Sequence, residues 1–239
     1  MTSSAKRTFR IVGGILALVI VIGLAIPAVG RILGRTETTT DDLPAGLTSL
    51  SLDGDVGDIE VVAGAAGEQP RVVATAAYGF SNPDVTISVS GDTAALSATC
   101  LTMWLDNCSV RWEVVVPTDT AVAIDNNVGT IEVAGLAGEL DVTTDVGGVA
   151  AVDFTGERVS VHSDVGDVRI AATGAPQEVT ASSDTGDVVV EVPDDGTAYR
   201  VSTTTSLGTV RNDLGSDETQ SRLIDVRTSV GDIFLRRAD

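Results

Sequence analysis

Seven glycines, Gly57, Gly129, Gly147, Gly166, Gly186, Gly208 and Gly231, each stand at the centre of the same ten-position pattern. From the second glycine onward the intervals are 18, 19, 20, 22 and 23 residues, a slowly lengthening period. Repetition on that scale marks stacked supersecondary units, none of which can bury its apolar side alone. The pattern constrains the architecture far more than the chemistry.

In the copy around Gly166, apolar side chains fall at Val159, Val161 and Val165, then at Val168 and Ile170. The period of two persists, but its parity flips across the glycine. A corner between two short strands produces that flip, with the branched side chains of both arms directed into one core and glycine accommodating the bend. Leu50, Val122, Leu140, Val179, Val201 and Ile224 match Val159, while Ile59, Ile131, Val149, Val188, Val210 and Ile233 match Val168. Such equivalence predicts aliphatic ladders between parallel coils winding about one axis. The expected fold is all-β, a β-solenoid of about seven short coils.

One inward position is small or polar in every copy: Gly54, Asn126, Thr144, Ser163, Ser183, Thr205 and Thr228. Buried hydroxyls and amides need partners, which neighbouring rungs would supply as a ladder. No general base accompanies these serines and threonines, so the sequence predicts no catalytic residues.

Residues 11–30 carry no charge and are rich in Ile, Leu, Val, Ala and Gly. Twenty residues of helix rise about 30 Å, the thickness of a bilayer's hydrocarbon layer. Lys6, Arg7 and Arg10 precede the segment. The expectation is a cytoplasmic tail over 1–10, a single transmembrane helix as anchor over 11–33, a polar linker over 34–46 and an extracytoplasmic β-repeat domain over 47–239. A cleavable signal peptide is the alternative, its site near Ala28, Val29 and Gly30, although apolar regions of signal peptides usually run only about 7 to 15 residues.

All 34 acidic residues follow residue 36, against ten of the 15 basic ones, so the region beyond the linker carries −24. That surface repels nucleic acid and anionic headgroups. Cys100 and Cys108 are the only cysteines. In an exported domain two cysteines this close pair most readily as a disulfide, with free thiols as the alternative; a metal site would need further ligands, and His162, the only histidine, lies on an outward position.

The first two corner glycines are 72 residues apart, leaving an insertion over 65–121. Arg71 to Ala77, Asp84 to Ser90, Thr93 to Thr99 and Ser109 to Pro117 read as strands separated by turn residues. An antiparallel extension or cap at the N-terminal end would protect the open rung there, and Arg236 and Arg237, directly after the last copy, would discourage stacking at the other end. Trp104, between the cysteines, is a candidate contact residue, with burial in the cap as the alternative.

Aspartates flank the glycines: Asp55, Asp145, Asp164 and Asp184 before them, Asp58, Asp167, Asp187 and Asp232 after. Asp145, Asp164, Asp167, Asp184 and Asp187 belong to consecutive copies and are therefore the candidates for calcium, a cation that takes six to eight oxygen ligands. Against this, the period is far from the nine residues of calcium-binding β-rolls, Gly148 stands where another aspartate would be needed, and aspartate favours turns for its own reasons. No cofactor is expected.

The repeated Val-Gly-Asp-Val/Ile corner, the preceding Val-x-Val-x-Ser/Thr strand and the Val114 to Pro117 entry resemble the bacterial "putative adhesin" family, a β-strand-repeat family of largely unknown function, over about residues 47 to 237. The resemblance implies a membrane-tethered, extracytoplasmic β-solenoid. The expected function is a noncatalytic adhesion or protein-interaction module of the cell envelope, with an envelope protein or wall polymer as partner. A self-assembling scaffold is the alternative. A carbohydrate-active enzyme fits less well, because the acids are evenly placed turn residues and aromatics make up 3% of the chain.

Overall fold

The computed structural model describes residues 34–79, 81–100 and 108–238, which form strands and no helix. Each glycine copy is two strands meeting at a corner: β2 (Ser49–Val56) and β3 (Ile59–Ala63), β8 (Ala121–Val128) and β9 (Ile131–Ala134), β10 (Leu140–Val146) and β11 (Val149–Phe154). The series continues with β12 (Arg158–Val165) and β13 (Val168–Ala172), β14 (Glu178–Thr185) and β15 (Val188–Val192), β16 (Arg200–Leu207) and β17 (Val210–Asn212), and β18 (Leu223–Val230) and β19 (Ile233–Arg237). First arms join a nine-stranded sheet and second arms a ten-stranded one. The coils pair in parallel, and the ladder inferred from sequence holds: Leu140 is level with Val122 and Val159, and Val159 with Val179.

Alternation then determines the core. Along β12 the side chains of Val159, Val161 and Ser163 are buried while Arg158 and Ser160 are exposed. Both sheets send their inward rows into one cluster that includes Leu140, Val142, Val168, Ile170, Val188 and Val190, all fully buried. The exception is the apolar residue just before most of the corner glycines. Val165, read from sequence as inward, and its equivalents Val128, Val146, Leu207 and Val230 are exposed because the chain is already turning at the corner, while Val56 is half-buried.

The coils do not stack in chain order. β18 lies between β14 and β16, and β19 between β15 and β17, so the seventh copy is inserted between the fifth and the sixth. Arg236 and Arg237 therefore do not guard the end of the solenoid. Arg236 pairs with Glu191, and Arg237 donates to the Pro193 and Thr197 carbonyls at 3.1 Å each, fastening the loop before β16. The terminal rung is β16 with β17, whose inward Val201, Thr203 and Thr205 remain half-buried.

The insertion contains β4 (Arg71–Tyr78), β5 (Asp84–Ser90), β6 (Thr93–Thr99) and β7 (Ser109–Val116), close to the four expected runs. Its antiparallel part is present: β4 pairs with β7, and β5 with β6. However, β6 runs parallel to β2 and β7 parallel to β3, which makes β6 and β7 an eighth coil that carries no corner glycine. Residues 34–46, expected as a linker, contain β1 (Arg35–Asp42), which pairs antiparallel with β4 along all eight residues. The expected tail and anchor over 1–33 and Trp104 lie outside the described residues, among which no helix is long and apolar enough to cross a membrane.

Candidate functional site

The glycine corner is the one feature repeated in every regular coil, and its geometry explains each residue type in it. A Cβ on Gly147 would sit 1.8 Å from the Gly129 carbonyl oxygen, and one on Gly166 would sit 2.0 Å from that of Gly147. The glycines are stacked backbone on backbone, so no side chain fits. At the N-terminal end the same stack closes on the Val110 carbonyl, 2.0 Å from a Cβ on Gly57. Between coils, Gly129 N donates to Val146 O at 2.9 Å and Gly147 N to Val165 O at 2.9 Å, so the corner's main chain is consumed by its own neighbours.

Inside the corner, the small polar row does not form the side-chain ladder inferred from sequence. Most of its members reach the carbonyl of the corner glycine in the adjoining coil instead: Ser163 Oγ donates to Gly147 O at 3.0 Å, Ser183 Oγ to Gly166 O at 2.8 Å, Thr228 Oγ1 to Gly186 O at 3.0 Å and Thr205 Oγ1 to Gly231 O at 3.0 Å, while the buried Thr144 hydroxyl has no such partner. Asn126 Nδ2 does the same for Gly57 O at 3.2 Å. Its amide fills the space where a Cβ on Gly54 would meet Asn126 Oδ1 at 2.5 Å. These hydroxyls hold coils together, since a buried carbonyl left without a donor is costly.

Outside the corner, the aspartates divide into two kinds. Those after the glycine bond the next coil: Asp167 Oδ1 accepts the Asp187 N–H at 2.9 Å, Asp187 Oδ1 that of Asp232 at 2.8 Å, and Asp232 Oδ1 that of Thr209 at 2.7 Å. Asp58 Oδ1 accepts from Thr130 N at 3.1 Å in the same way. Asp145, Asp164 and Asp184, before the glycine, form a row one rung apart on the outer face of the nine-stranded sheet. Among the described residues no three metal-binding side chains converge. Asp145, Asp164 and Asp184 follow one another from rung to rung, as do Asp167 and Asp187.

Between the two aspartate rows stands the apolar row that the corner turns outward. Val128, Val146, Val165, Val230 and Leu207 are between 41% and 68% exposed and make up most of the exposed large hydrophobic residues of the described chain. Register places them on successive rungs, with Thr185 between Val165 and Val230.

In the eighth coil a loop closed by the Cys100–Cys108 disulfide, with Cα atoms 5.9 Å apart, replaces the glycine corner. The expected pairing is present, and Asp55 Oδ2 anchors it by accepting the Cys100 N–H at 2.7 Å. The only histidine also gains partners that sequence reading missed. His162 Nδ1 lies 2.8 Å from Ser182 Oγ, and Nε2 lies 3.0 Å from Asp164 Oδ1. Coil register alone, with His162 level with Ser182, could have revealed this contact. It lies on an open sheet face whose backbone N–H groups serve the strand ladders, a poor setting for stabilising an oxyanion. Away from the corner, hydrogen bonds from the Thr219 hydroxyl, the Gln220 amide and the Thr219 N–H hold the Asp217 carboxyl down at about 2. Desolvation, followed by the hydrogen bond to Glu37, raises the Tyr78 phenol.

Comparison with known proteins gives the same architecture. A crystal structure of a putative cell adhesion protein from Clostridium sporogenes matches with a TM-score of 0.50 at 14% identity, covering 85% of this chain and 100% of that one. A putative adhesin from Bacteroides fragilis matches at 0.48 and 14%, covering 85% and 97%. At 14% identity the Clostridium sporogenes match shows the fold alone. Comparison with curated proteins yields no match. The Toastrack DUF4097 family profile matches residues 47–236, and the chain belongs to that family.

Proposed function

Starting from membership of the Toastrack family, we propose that this protein is a noncatalytic adhesion or protein-interaction module of the cell envelope, tethered to the membrane through residues 11–30 with its N-terminus cytoplasmic and its β-domain outside. One observation carries the reading. Most of the polar groups that recur from coil to coil are occupied with neighbouring coils, the inward hydroxyls of Ser163, Ser183, Thr205 and Thr228 on glycine carbonyls and the post-glycine carboxylates on backbone N–H groups, with the Thr144 hydroxyl the exception. What remains for a ligand is the outer surface of a rigid rod, the kind of surface solenoids use for binding. The disulfide and the strongly acidic domain suit an oxidising, extracytoplasmic setting.

The test is photo-cross-linking on intact cells with reactive groups at Trp104, Asp164 and Val165. A discrete surface or membrane protein captured from one position supports the module; wall polymer captured alone supports adhesion to the wall. Capture of nothing from any position refutes the reading. Self-assembly into a scaffold is the second reading, favoured by β16 and β17 being end strands of their sheets, although Ser216 occupies the Val201 N–H on the outer side of β16. A monodisperse monomer in light scattering would remove it.

A further inference from the structure

The exposed row of Val128, Val146, Val165, Thr185, Val230 and Leu207 has no role in folding that the structure reveals. Elsewhere among the described residues the large aliphatic side chains are buried or half-buried, Val89 and Val210 excepted, yet here branched apolar groups stand in water on one rung after another. Exposed apolar surface that is contiguous rather than scattered marks an interaction site. The row spans five rung spacings, about 24 Å at 4.8 Å each.

Its borders specify the partner. On one side run Asp145, Asp164 and Asp184, and on the other Asp167, Asp187 and Asp232. Among the described residues no arginine pairs with any of the six; Asp164 meets only His162. The complement is therefore an apolar stripe with cations along both margins. A second copy would bring carboxylates against carboxylates, and an acidic lipid surface would be repelled. An added strand is also unsuited, because the corner's N–H and C=O groups are already engaged, Gly129 N with Val146 O and Gly147 N with Val165 O at 2.9 Å each.

An α-helix suits the geometry. Its turns repeat every 5.4 Å, close to the rung spacing, and its side chains at i, i+3, i+4 and i+7 make one apolar stripe with flanking positions on both sides. About 16 residues cover 24 Å. We propose that the valine ridge is the docking surface for a basic amphipathic helix of a partner polypeptide, its leucine-like stripe on the valines and its lysines or arginines over the two aspartate rows. This rests on the interaction-module reading and supplies that reading's contact face and partner chemistry.

The test uses the full chain in nanodiscs of zwitterionic lipid, with empty nanodiscs as the baseline. The probe is a fluorescent synthetic helix of about 18 residues, leucine on one face and lysine on its margins, read by anisotropy; a scrambled peptide of the same composition has the same charge. The patterned peptide is expected to bind at least ~10-fold more tightly than the scrambled one. Val128→Thr, Val146→Thr and Val165→Thr together should abolish that advantage with no change of charge, and Thr185 shows that the row accepts threonine. Asp145→Asn, Asp164→Asn and Asp184→Asn together should weaken binding and flatten its salt dependence; Asn127 already occupies the equivalent place in its coil. Equal binding of the two peptides, or wild-type affinity in the threonine variant, overturns the proposal. So does a dimer in sedimentation that the threonine variant abolishes, which would give the ridge to a second copy. Capture of a partner from Trp104 with Val165 silent refutes the ridge alone, whereas silence at every position refutes the underlying module.

Discussion

Replacing Gly147 by alanine isolates the close approach on which the corner depends. Its φ lies outside the region that L-residues avoid, so the change introduces a steric conflict without a backbone penalty. The new methyl would lie 1.8 Å from the Gly129 carbonyl oxygen, where ordinary contact begins near 3.4 Å. The obstacle is backbone on both sides, so relief requires the two coils to part locally by about 1.5 Å, more than a close-packed interior absorbs by side-chain adjustment. Parting stretches the bonds from Gly129 N to Val146 O at 2.9 Å and from Ile131 N to Gly148 O at 3.0 Å past useful length. At about 1 kcal/mol net for each bond, with some loss of packing between rungs, the expected cost is about 3 kcal/mol. For a domain of this size that lowers Tm by roughly 6 to 12 °C. Thermal and urea unfolding of the full chain, followed by far-ultraviolet circular dichroism, measures it. Gly46→Ala is the internal control, since nothing lies within 4 Å of a Cβ there; it should stay within about 0.5 kcal/mol of wild type. If Gly147→Ala is as stable as Gly46→Ala, the glycine stack is not a close-packed contact and this account of the repeat fails.

Four other outcomes follow from the same geometry. Asp187→Ala removes the acceptor of the Asp232 N–H and should destabilise by about 1 kcal/mol, with Asp187→Asn recovering most of it, while millimolar calcium or chelator leaves the melting temperature of the wild type unchanged. Reducing Cys100–Cys108 should cost about 2 to 3 kcal/mol on the loop-entropy account, seen as a lower urea midpoint in reductant. Asp217 should titrate by carboxyl NMR with a midpoint at about 2; because its folded value lies below the ordinary 3.8, its stabilisation is complete above that pH and is lost as pH falls toward 2, and Asp217→Asn should remove this part of the acid dependence. Truncation after Asn212 should abolish amide protection in Arg200–Leu207 as well, because β16 pairs only with β18.

Much of the corner was legible in the residues. The parity flip at each glycine identified both arms, the register and the inward rows, and the four strand-like runs of the insertion lie within a residue of β4 to β7. The carbonyl partners of Ser163 and Ser183 were not legible, because a buried hydroxyl's need for an acceptor does not say which acceptor is near. Nor was the work of Asp167 and Asp187 on the next coil's N–H groups: as sequence they look the same as Asp164 and Asp184, which make no such bond. The His162–Ser182 contact needed the rung alignment.

By itself the sequence determined the unit: a strand, a glycine and a strand, with branched residues at period two, because alternation and steric bulk act over a few neighbouring residues. Tertiary structure decided how the units are ordered and which surface they leave exposed. Val201 and Ile224 are interchangeable as rung residues, so local pattern cannot say whether the sixth or the seventh copy lies against the fifth; the loop before β16, fastened by Arg237, goes with the arrangement found. Likewise β6 and β7 complete a coil without a glycine because the disulfide closes their corner. Val165, apolar and in phase with the core by parity, is turned into solvent by the bend that Gly166 allows. Alternation is a property of straight strands, and a side chain's direction at a corner depends on the path of the chain beyond it.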